Sequence, residues 1–462
     1  MNKTNLKKAT DELAESLGRG KIIIDADILD KYSRDETSGM AQLPAVVVRA
    51  KSTGDVSRVL VICSKYGVPV IPRGAGTGVT GGAIPVKGGV VLSVEQMNRI
   101  IEIDRENMFA IVEPGVITKT LQDAALEHGL MYPPDPASLD ICSIGGNIAE
   151  GAGGPRAVKY GTTKDYVTGL EFVLANGEVI NTGGKIVKNA AGYNFIGIIV
   201  GSEGTLAVVT KIYLRLVPAP PVVIDLLIPF DSIEEALSVV PVLLQNRIIP
   251  SAIEFMEKDA IKTVKDFLKE EIPFENAGAH LLIQLDGESR EEIMSDLDRL
   301  NKLIHSKYEI LVAESKNQKD RLWKTRRSVR ESVKNASSIF FGEDSVVPRS
   351  KIPVFIKDIK DFLNSKSLRS IVWGHAGDGN CHINILKESM DDDKWNELVP
   401  VIKKYIYQKA ISYGGTITGE HGIGLTKKNY LELAISEEGI ELSKRIKAAF
   451  DPDGILNPGK IF

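Results

Sequence analysis

The sequence predicts an α+β fold with two domains, and three observations support this prediction. The chain has 462 residues, whereas single hydrophobic cores stop growing near roughly 250–300 residues. Short runs rich in valine and isoleucine alternate with segments of helical periodicity in both halves of the chain. Between the halves, the segment VPAPPVV at 217–223 removes backbone donors and favours an extended linker.

The composition narrows the class of partner and the cellular compartment. The chain carries 57 basic and 61 acidic residues without a basic block, so its charge gives no reason to expect a nucleic acid as partner. Three distant cysteines, Cys63, Cys142 and Cys381, predict a reducing cytoplasmic location and no iron–sulfur cluster. The charged N-terminus argues against a signal peptide, and the lack of an apolar run of about 18–20 residues argues against a transmembrane segment.

The first half of the chain has the pattern of a mixed α/β domain. It begins with a β-α-β unit at 45–72, in which the strand-like runs AVVVRA and VPVIP flank a helical segment. A clear helix is predicted over 118–128. Further strands are predicted at 90–94, 110–112, 170–174, 179–181 and 205–216.

The second half predicts another α/β unit and a helical tail. Helical patterns at 232–247 and 256–271 alternate with strand-like segments at 280–287 and 368–375. A last helix is predicted over 436–449. The proline and glycine residues of the terminal DPDGILNPGKIF exclude a regular element there.

A glycine-rich loop follows the strand at 68–72. The loop RGAGTGVTGG at 73–82 contains G-x-G-x-x-G, but the chain continues AIPVKGGVVLSV and opens no helix, so a dinucleotide-binding fingerprint is excluded. Two interpretations remain: a tight surface turn, or a nest of backbone N–H groups around an anion with Arg73 nearby. Further turn-forming segments at 133–138, 143–155 and 199–206 favour a large ligand laid along the domain.

These segments also carry a family resemblance. In this order, and together with KYG, GYNFIGIIVGSEGTL and the terminal LNPGK, they resemble the FAD-binding family that includes vanillyl-alcohol oxidase and p-cresol methylhydroxylase. Within this family the chain is most similar to the branch that contains D-lactate dehydrogenase, the FAD-linked subunit of glycolate oxidase, and D-2-hydroxyglutarate dehydrogenase. The resemblance extends from about Leu43 to Phe462.

The resemblance implies a two-part FAD-binding domain at 1–218, an α/β substrate and metal cap domain at 219–425, and a C-terminal segment at 426–462 that packs back on the FAD domain. FAD is expected to be non-covalent, because Thr77 stands where some members have a tethering histidine. The implied FAD-binding residues are Arg73, Gly74, Ala75, Gly76, Thr77 and Gly78 at the diphosphate, Pro134, Asp135, Ser138, Gly145, Gly146, Asn147, Ala149, Gly153, Glu203, Gly204 and Val208 along the ribityl and isoalloxazine parts, and Asn457 from the C-terminal segment.

The motif WGHAGDGNCHIN at 373–384 predicts a β-hairpin with Asp378-Gly379 as a two-residue turn. With that turn centre, His375 is directly opposite His382. Directly opposed residues have Cβ atoms about 4.5–5.5 Å apart on one face, which lets two imidazoles share a metal ion. A single buried histidine is more often a hydrogen-bonded core residue, but a pair across a tight turn favours a metal site.

The segment TGEHGIG at 418–424 offers a carboxylate and another imidazole. Adjacent side chains on extended backbone point in opposite directions, so Glu420 is predicted as the third metal ligand and His421 as a base. Two histidines and one carboxylate leave open coordination positions, as a catalytic site requires. Zinc, ferrous iron and manganese all accept such ligands, so one divalent metal is predicted without a choice of ion.

The resemblance implies the same roles. In the branch named above, the GHxGDGNxH and GEHG motifs supply the metal ligands and the base, which correspond here to His375, His382, Glu420 and His421. Asn384, two residues beyond His382, is predicted to lie on the same catalytic face.

A cationic clamp for a substrate carboxylate is predicted in DRLWKTRRSVRES at 320–332. As one helix, this segment would place Arg326 and Arg330 on a shared face. The family places an arginine a few residues after this tryptophan near the substrate carboxylate, which implies Arg326. Some relatives add a lysine before a DxxVP stretch, but FGEDSVVP at 341–348 lacks it, which favours a small acid, D-lactate first and glycolate next.

Together these predictions describe an FAD-dependent dehydrogenase of a small 2-hydroxy acid. His421 takes the hydroxyl proton, the metal lowers the pKa of that hydroxyl, and hydride passes to flavin N5. The sequence shows no second redox centre, so an electron-transfer flavoprotein, an iron–sulfur subunit or a quinone is expected as acceptor. The alternatives are a non-catalytic flavin subunit, a structural metal-binding protein, and an enzyme of the same fold that acts on phenols or ether lipids.

Overall fold

The computed structural model describes residues 2–305 and 307–462. This chain forms two compact units. The first comprises the residues up to Gly153, Thr162–Ala219 and Glu420–Phe462, and the second comprises Gly154–Gly161 and Pro220–Gly419. The chain changes from the first unit to the second between Ala219 and Pro220, within the proline-rich segment 217–223. The short segment Gly154–Gly161 belongs to the second unit.

The described chain contains both helices and strands, and every helix in it is too short or too polar to span a bilayer. The α-helices are α1 (Lys3–Leu17), α2 (Ala26–Asp30), α3 (Thr53–Tyr66), α4 (Thr118–Glu127), α5 (Ile144–Glu150), α6 (Ala157–Tyr160), α7 (Phe195–Ile199), α8 (Ile233–Gln245), α9 (Lys258–Leu268), α10 (Arg290–Leu303), α11 (Lys316–Arg327), α12 (Val329–Ala336), α13 (Ile352–Ser365), α14 (Asp392–Ser412), α15 (Leu431–Ala434) and α16 (Glu437–Phe450). The strands are β1 (Ile22–Ile23), β2 (Val46–Arg49), β3 (Val70–Arg73), β4 (Val90–Ser93), β5 (Ile100–Asp104), β6 (Phe109–Val112), β7 (Leu130–Met131), β8 (Val167–Val173), β9 (Val179–Gly183), β10 (Val208–Arg215), β11 (Val217–Pro218), β12 (Val222–Phe230), β13 (Ala252–Glu257), β14 (Ala279–Gly287), β15 (Leu311–Ala313), β16 (Phe340–Val346), β17 (Arg369–His375) and β18 (Asn380–Leu386).

The first unit contains two larger sheets. One has the strand order β1-β2-β4-β3, and the other has the order β5-β6-β10-β8-β9. Strands β2 and β3 each pair in parallel with β4, as the β-α-β pattern predicts, because a crossover helix, α3, connects β2 to β3. The apolar residues of these strands are buried on both faces, which explains their continuous valine and isoleucine runs.

The C-terminal segment forms part of the first unit. Leu456 forms a parallel bridge with Val70 on β3, and the Val70 N–H donates to the carbonyl of Ile455 at 2.8 Å. Ile455 and Leu456 also belong to the hydrophobic core that contains β2, β4 and α3. The strand that precedes the glycine loop is therefore held by residues close to the C-terminus.

The second unit is built on one antiparallel sheet of seven strands in the order β15-β12-β14-β13-β17-β18-β16. Helices α9 and α12 contribute Val264 and Val333 to an apolar cluster with Met256 and Trp373 of the sheet. The β17–β18 hairpin lies inside this sheet, so its side chains are buried.

Candidate active site

The glycine loop at 73–82 lies against the N-terminus of α5. Ser143 Oγ accepts a hydrogen bond from the Gly146 N–H and another from the Ala75 N–H, both at 3.3 Å. A Cβ atom on Gly74 would lie only 2.4 Å from Ser143 Oγ. Gly74 is therefore required for the close approach of the loop to the helix.

Helix α5 corrects the prediction of a turn-forming segment over 143–155. Ser143 has extended backbone and caps the helix, and side-chain capping satisfies an N–H that would otherwise lack a partner. A Cβ on Gly145 would come within 2.6 Å of Pro114 Cβ. This glycine thus serves helix packing and not a turn.

The middle of the glycine loop presents backbone donors. Within the described ranges, no protein group accepts the N–H groups of Gly76, Thr77, Gly78 and Val79, and these residues are only partly buried. Gly76 has a φ of 73°, a left-handed conformation that glycine adopts without strain. Consecutive unpaired N–H groups of this kind form an anion-binding nest and fit the diphosphate of FAD.

The Arg73 side chain contacts Tyr32 and Arg34 of the N-terminal segment. Its Nη1 donates to the carbonyl of Arg34 at 2.8 Å, and its guanidinium carbon lies 5.6 Å from the centroid of the Tyr32 ring. Burial lowers the pKa of Arg73. These contacts show that Arg73 anchors the loop. Its predicted role in cofactor binding stays a prediction.

Asn457 and Glu203, two predicted cofactor residues, form a buried network. Asn457 Nδ2 donates to the carbonyls of Gly82 at 2.9 Å and Glu203 at 2.8 Å. The Glu203 carboxylate accepts the N–H groups of Ile423 and Gly424, each at 2.7 Å. Burial raises the pKa of Glu203 although these backbone donors oppose the shift. The network ties the turn after the predicted base to the C-terminal segment.

Lys460 completes this network and was missed at the level of sequence. Its Nζ donates to the carbonyls of Gly82 at 3.2 Å and Ile84 at 2.7 Å, and to Asn457 Oδ1 at 3.3 Å. Burial lowers the pKa of Lys460 to about 8. The signal was its place in LNPGK, the same motif that indicated Asn457.

Several predicted cofactor residues have side chains that contact other protein groups. Asn147 Nδ2 donates to Thr118 Oγ1 at 2.7 Å, and the Val208 side chain lies in the core of the first unit. A Cβ on Gly153 would lie 3.1 Å from Glu420 Oε2. The other predicted positions lie in α5 or in the flanking loops, namely Pro134, Asp135, Ser138, Gly146, Ala149 and Gly204.

The predicted histidine pair exists, but its register was wrong. His375 is directly opposite Asn380, and His382 is opposite Trp373, so the two histidines are diagonal neighbours on one face. Their Nε2 atoms are 3.5 Å apart, and the ring planes meet at 85°. The connection is wider than two residues because the His375 carbonyl accepts both the Asp378 and the Gly379 N–H, at 3.3 and 3.1 Å.

A buried carboxylate on the neighbouring strand orients His375. Glu254 of β13 is directly opposite His375, and its Oε1 lies 2.7 Å from His375 Nδ1. Although burial favours the neutral acid, the charges of His375 and Arg326 lower the pKa of Glu254. An ionised carboxylate only accepts, so His375 Nδ1 carries a proton toward Glu254.

Glu420 directly follows Gly419, the last residue of the second unit. Asp344, opposite His382 in the sheet, accepts the Gly419 N–H at 2.9 Å and so fixes the residue covalently bonded to Glu420. One ligand atom from each of His375, His382 and Glu420 lies within 4.8 Å of the others. Two imidazoles and a carboxylate in this arrangement fit one divalent cation.

The predicted single helix is interrupted between Arg326 and Arg330, and Arg326 lies next to Glu254. Helix α11 ends at Arg327 and α12 begins at Val329, so Arg326 and Arg330 stand on different helices. Arg326 Nη2 lies 2.5 Å from Glu254 Oε2, with both side chains buried. Arg326 therefore contacts the same carboxylate as His375.

His421 and Asn384 hold positions set by their neighbours. The His421 carbonyl accepts a hydrogen bond from Thr80 Oγ1 at 3.1 Å, and its side chain is half-buried. Asn384 is buried opposite Gly342, where a Cβ would lie 2.7 Å from the amide Oδ1. Asn384 shares a sheet face with His382, as the sequence predicts.

Glu254 and Asp344 were missed as site residues. The available signal was the placement of acidic residues inside otherwise apolar strands, AIEFME at 252–257 and FFGEDSV at 340–346. Buried charges of this kind are normally paired or hold a metal.

Three features together are typical of a flavin-dependent oxidoreductase. They are the two larger sheets of the first unit, the glycine loop at 73–82 with its N–H groups that lack an acceptor among the described residues, and the sheet face that carries His375 and His382. Residues 44–183 match the FAD binding domain family, and residues 219–461 match the C-terminal domain of FAD linked oxidases. The chain belongs to the FAD-linked oxidase family, and it is an FAD-linked oxidoreductase.

Relatives extend over nearly the whole chain. It is 42% identical to the glycolate oxidase subunit GlcD of Bacillus subtilis (strain 168), over 93% of this chain and 92% of the relative. It is 36% identical to a D-lactate dehydrogenase of Anaerostipes hadrus, over 100% of this chain and 99% of the relative. The solved structure of p-cresol methylhydroxylase with bound substrate has a TM-score of 0.82 at 20% identity, over 100% of this chain and 97% of that one, which confirms the predicted fold class.

Proposed function

We propose that the protein oxidises a small D-2-hydroxy acid to the 2-oxo acid, with D-lactate preferred and glycolate next. The observation that carries this proposal is the cluster of His375, His382 and Glu420, whose ligand atoms lie within 4.8 Å of one another, in a chain that binds FAD. A D-lactate dehydrogenase and a glycolate oxidase subunit among the relatives support the substrate class.

The first unit would hold FAD without a covalent bond. The N–H groups from Gly76 to Val79 would receive the diphosphate, because they are consecutive and have no acceptor among the described residues. Gly74 and Ala75 would belong to the same diphosphate loop, and the predicted residues within 133–153 and 203–209, together with Asn457, would lie along the remaining length of the cofactor. Bound FAD supplies the hydride acceptor, and the protein sets its position.

His375, His382 and Glu420 would hold one divalent ion, with zinc, ferrous iron and manganese as candidates. Such an ion supplies a Lewis acid that lowers the pKa of a substrate hydroxyl. Glu254 keeps the proton of His375 on Nδ1, so that Nε2 faces the ligand position.

The remaining roles belong to side chains of this chain. His421 would accept the hydroxyl proton at a ring nitrogen, because a neutral imidazole has one nitrogen that can accept a proton as a general base. Arg326 would orient the substrate carboxylate, and Asn384 would contribute an amide from the histidine face. Without the distal lysine of some relatives at 341–348, a second substrate carboxylate would lack a partner there.

The electrons would leave to an external acceptor in the cytoplasm. We favour an electron-transfer flavoprotein, with an iron–sulfur subunit or a quinone as alternatives. Reoxidation of the substrate-reduced enzyme by each acceptor, followed by stopped-flow absorbance, distinguishes these three.

The deciding experiment is anaerobic bleaching of the visible flavin band by a panel of D- and L-2-hydroxy acids, before and after chelation. We expect D-lactate to bleach the flavin fastest, chelation to stop bleaching, and added divalent ions to restore it. A flavin that stays oxidised with every acid would instead indicate a non-catalytic flavin subunit. Bleaching that persists after complete metal removal would contradict the metal role alone.

A further inference from the structure

Glu254 contacts two residues of the proposed site with its two carboxylate oxygens. Oε1 lies 2.7 Å from His375 Nδ1, and Oε2 lies 2.5 Å from Arg326 Nη2. We infer that Glu254 is a positioning residue that sets the imidazole of a metal ligand and the guanidinium of the substrate clamp at once. This inference rests on the proposed function, because it assigns His375 to the metal and Arg326 to the substrate.

The position of Glu254 makes this double role specific. β13 pairs directly with β17, so the backbone register places Glu254 opposite His375. The Glu254 side chain is 0% exposed and that of Arg326 is 8% exposed. This burial disfavours replacement of either partner by water, and Oε2 meets Arg326 as an ion pair, whereas Oε1 is hydrogen-bonded to His375.

The chemistry of the carboxylate cannot be supplied by its amide. An ionised carboxylate offers acceptors on both oxygens, whereas glutamine offers one acceptor and one NH2 donor. Glu254→Gln keeps the shape of the side chain, but it can accept from His375 or from Arg326 and not from both. The NH2 group of the glutamine would then point at the N–H of His375 or of Arg326, and two donors repel each other. One of the two contacts is therefore disturbed.

Asp225 provides a matched control in the same sheet. It is buried on β12, and its oxygens accept from Gln284 Nε2 at 2.8 Å and Trp323 Nε1 at 2.9 Å. Trp323 belongs to α11, the helix that carries Arg326. Asp225→Asn therefore replaces a buried carboxylate by an amide in the same way, and it disturbs a contact to the helix that carries Arg326. It involves no bond to either histidine.

The test compares the full-length holoenzyme with Glu254→Gln and Asp225→Asn. Metal affinity is measured by chelator competition, FAD content by absorbance, and kcat and KM separately with D-lactate. In Glu254→Gln we expect metal affinity to fall about 10- to 100-fold and KM to rise, with FAD content unchanged. Asp225→Asn is expected to keep the wild-type metal affinity and KM even if its melting temperature falls.

The outcomes separate this inference from the proposed function. Wild-type metal affinity and KM in Glu254→Gln would overturn the positioning role, and so would equal losses in Asp225→Asn. A wild type that binds no divalent ion would overturn the proposed metal site itself. If Glu254→Gln does not fold, Glu254→Asp gives the same comparison. It keeps the charge but withdraws it by one methylene, and unchanged metal affinity and KM there would overturn the inference.

Discussion

The carboxylate of Glu203 accepts the backbone N–H of Ile423 at 2.7 Å, and it accepts the N–H of Gly424 at the same distance. Two residues before Ile423, the carbonyl of His421 accepts a hydrogen bond from Thr80 Oγ1. His421 is thus anchored within the first unit through its own carbonyl and through the two N–H groups that follow it. Its imidazole can be removed without loss of these anchors.

His421→Ala is expected to lower the rate of flavin reduction by D-lactate about 10²- to 10⁴-fold, the usual contribution of a general base. FAD content should not change, because the anchoring bonds use backbone groups. Anaerobic stopped-flow absorbance measures both quantities. His128→Ala, at an exposed histidine, is the control, and normal flavin reduction in His421→Ala would remove the proposed base.

Gly74→Ala is expected to weaken FAD binding. Its Cβ would lie 2.4 Å from Ser143 Oγ, and overpacking of this kind costs about 1–3 kcal/mol, equivalent to roughly 10-fold or more in affinity. FAD titration of the apoprotein by flavin fluorescence measures the effect. Gly20→Ala, where nothing lies within 4 Å of an added Cβ, should bind FAD normally, and equal affinity in the two variants would contradict the close contact.

Lys460→Met is expected to lower the melting temperature and FAD retention together. The substitution removes the three hydrogen bonds that Nζ donates to the Gly82 carbonyl, the Ile84 carbonyl and Asn457 Oδ1, and a hydrogen bond of this kind contributes about 0.5–1.5 kcal/mol. Differential scanning fluorimetry with and without added FAD measures both effects. Lys444→Met, at an exposed lysine of α16, should behave as wild type. A Lys460→Met variant with wild-type melting and FAD retention would show that the network is dispensable.

His280 predicts a loss of stability in mild acid. Burial lowers the pKa of His280 to about 4, from 6.5, and its ring Nε2 lies 3.0 Å from the Phe274 carbonyl. The unfolded chain therefore binds the proton first as the pH falls, and stability present above about pH 6.5 declines toward pH 4, by about 3 kcal/mol in total.

His280→Gln should reduce this acid sensitivity, because glutamine can donate to the same carbonyl without titrating. Melting temperatures measured at intervals from about pH 7 down to about pH 4 give the comparison. His128→Gln should retain the full wild-type slope. Parallel slopes for wild type and His280→Gln would refute the assignment.

The sequence predicted the glycine segments and the histidine face because both depend on local patterns. Glycines at close approaches and a period-two alternation on strands are visible without tertiary structure. The hairpin register was wrong, since the widened connection after His375 depends on a carbonyl that accepts two N–H groups. The pair was still found, because a shift of two residues in pairing leaves the same side chains on the same face.

The residues that the sequence did not reveal depend on pairing between distant segments. Glu254 meets His375 only because β13 lies beside β17, and these strands are separated by more than 100 residues along the chain. The separation of Arg326 from Arg330 likewise follows from the end of α11 at Arg327, in a stretch whose composition suits a continuous helix. Neither relationship has a signature within a short window.

The return of the C-terminal segment to β3 bears on biosynthesis. Val70 bonds to Ile455, yet the ribosome must make the whole second unit between these residues. Until the C-terminal segment is made, β3 of the nascent first unit is an edge strand with unpaired backbone N–H and C=O groups, and chaperones would bind there. Stable incorporation of the flavin is accordingly expected only after residues 420–462 have left the ribosome.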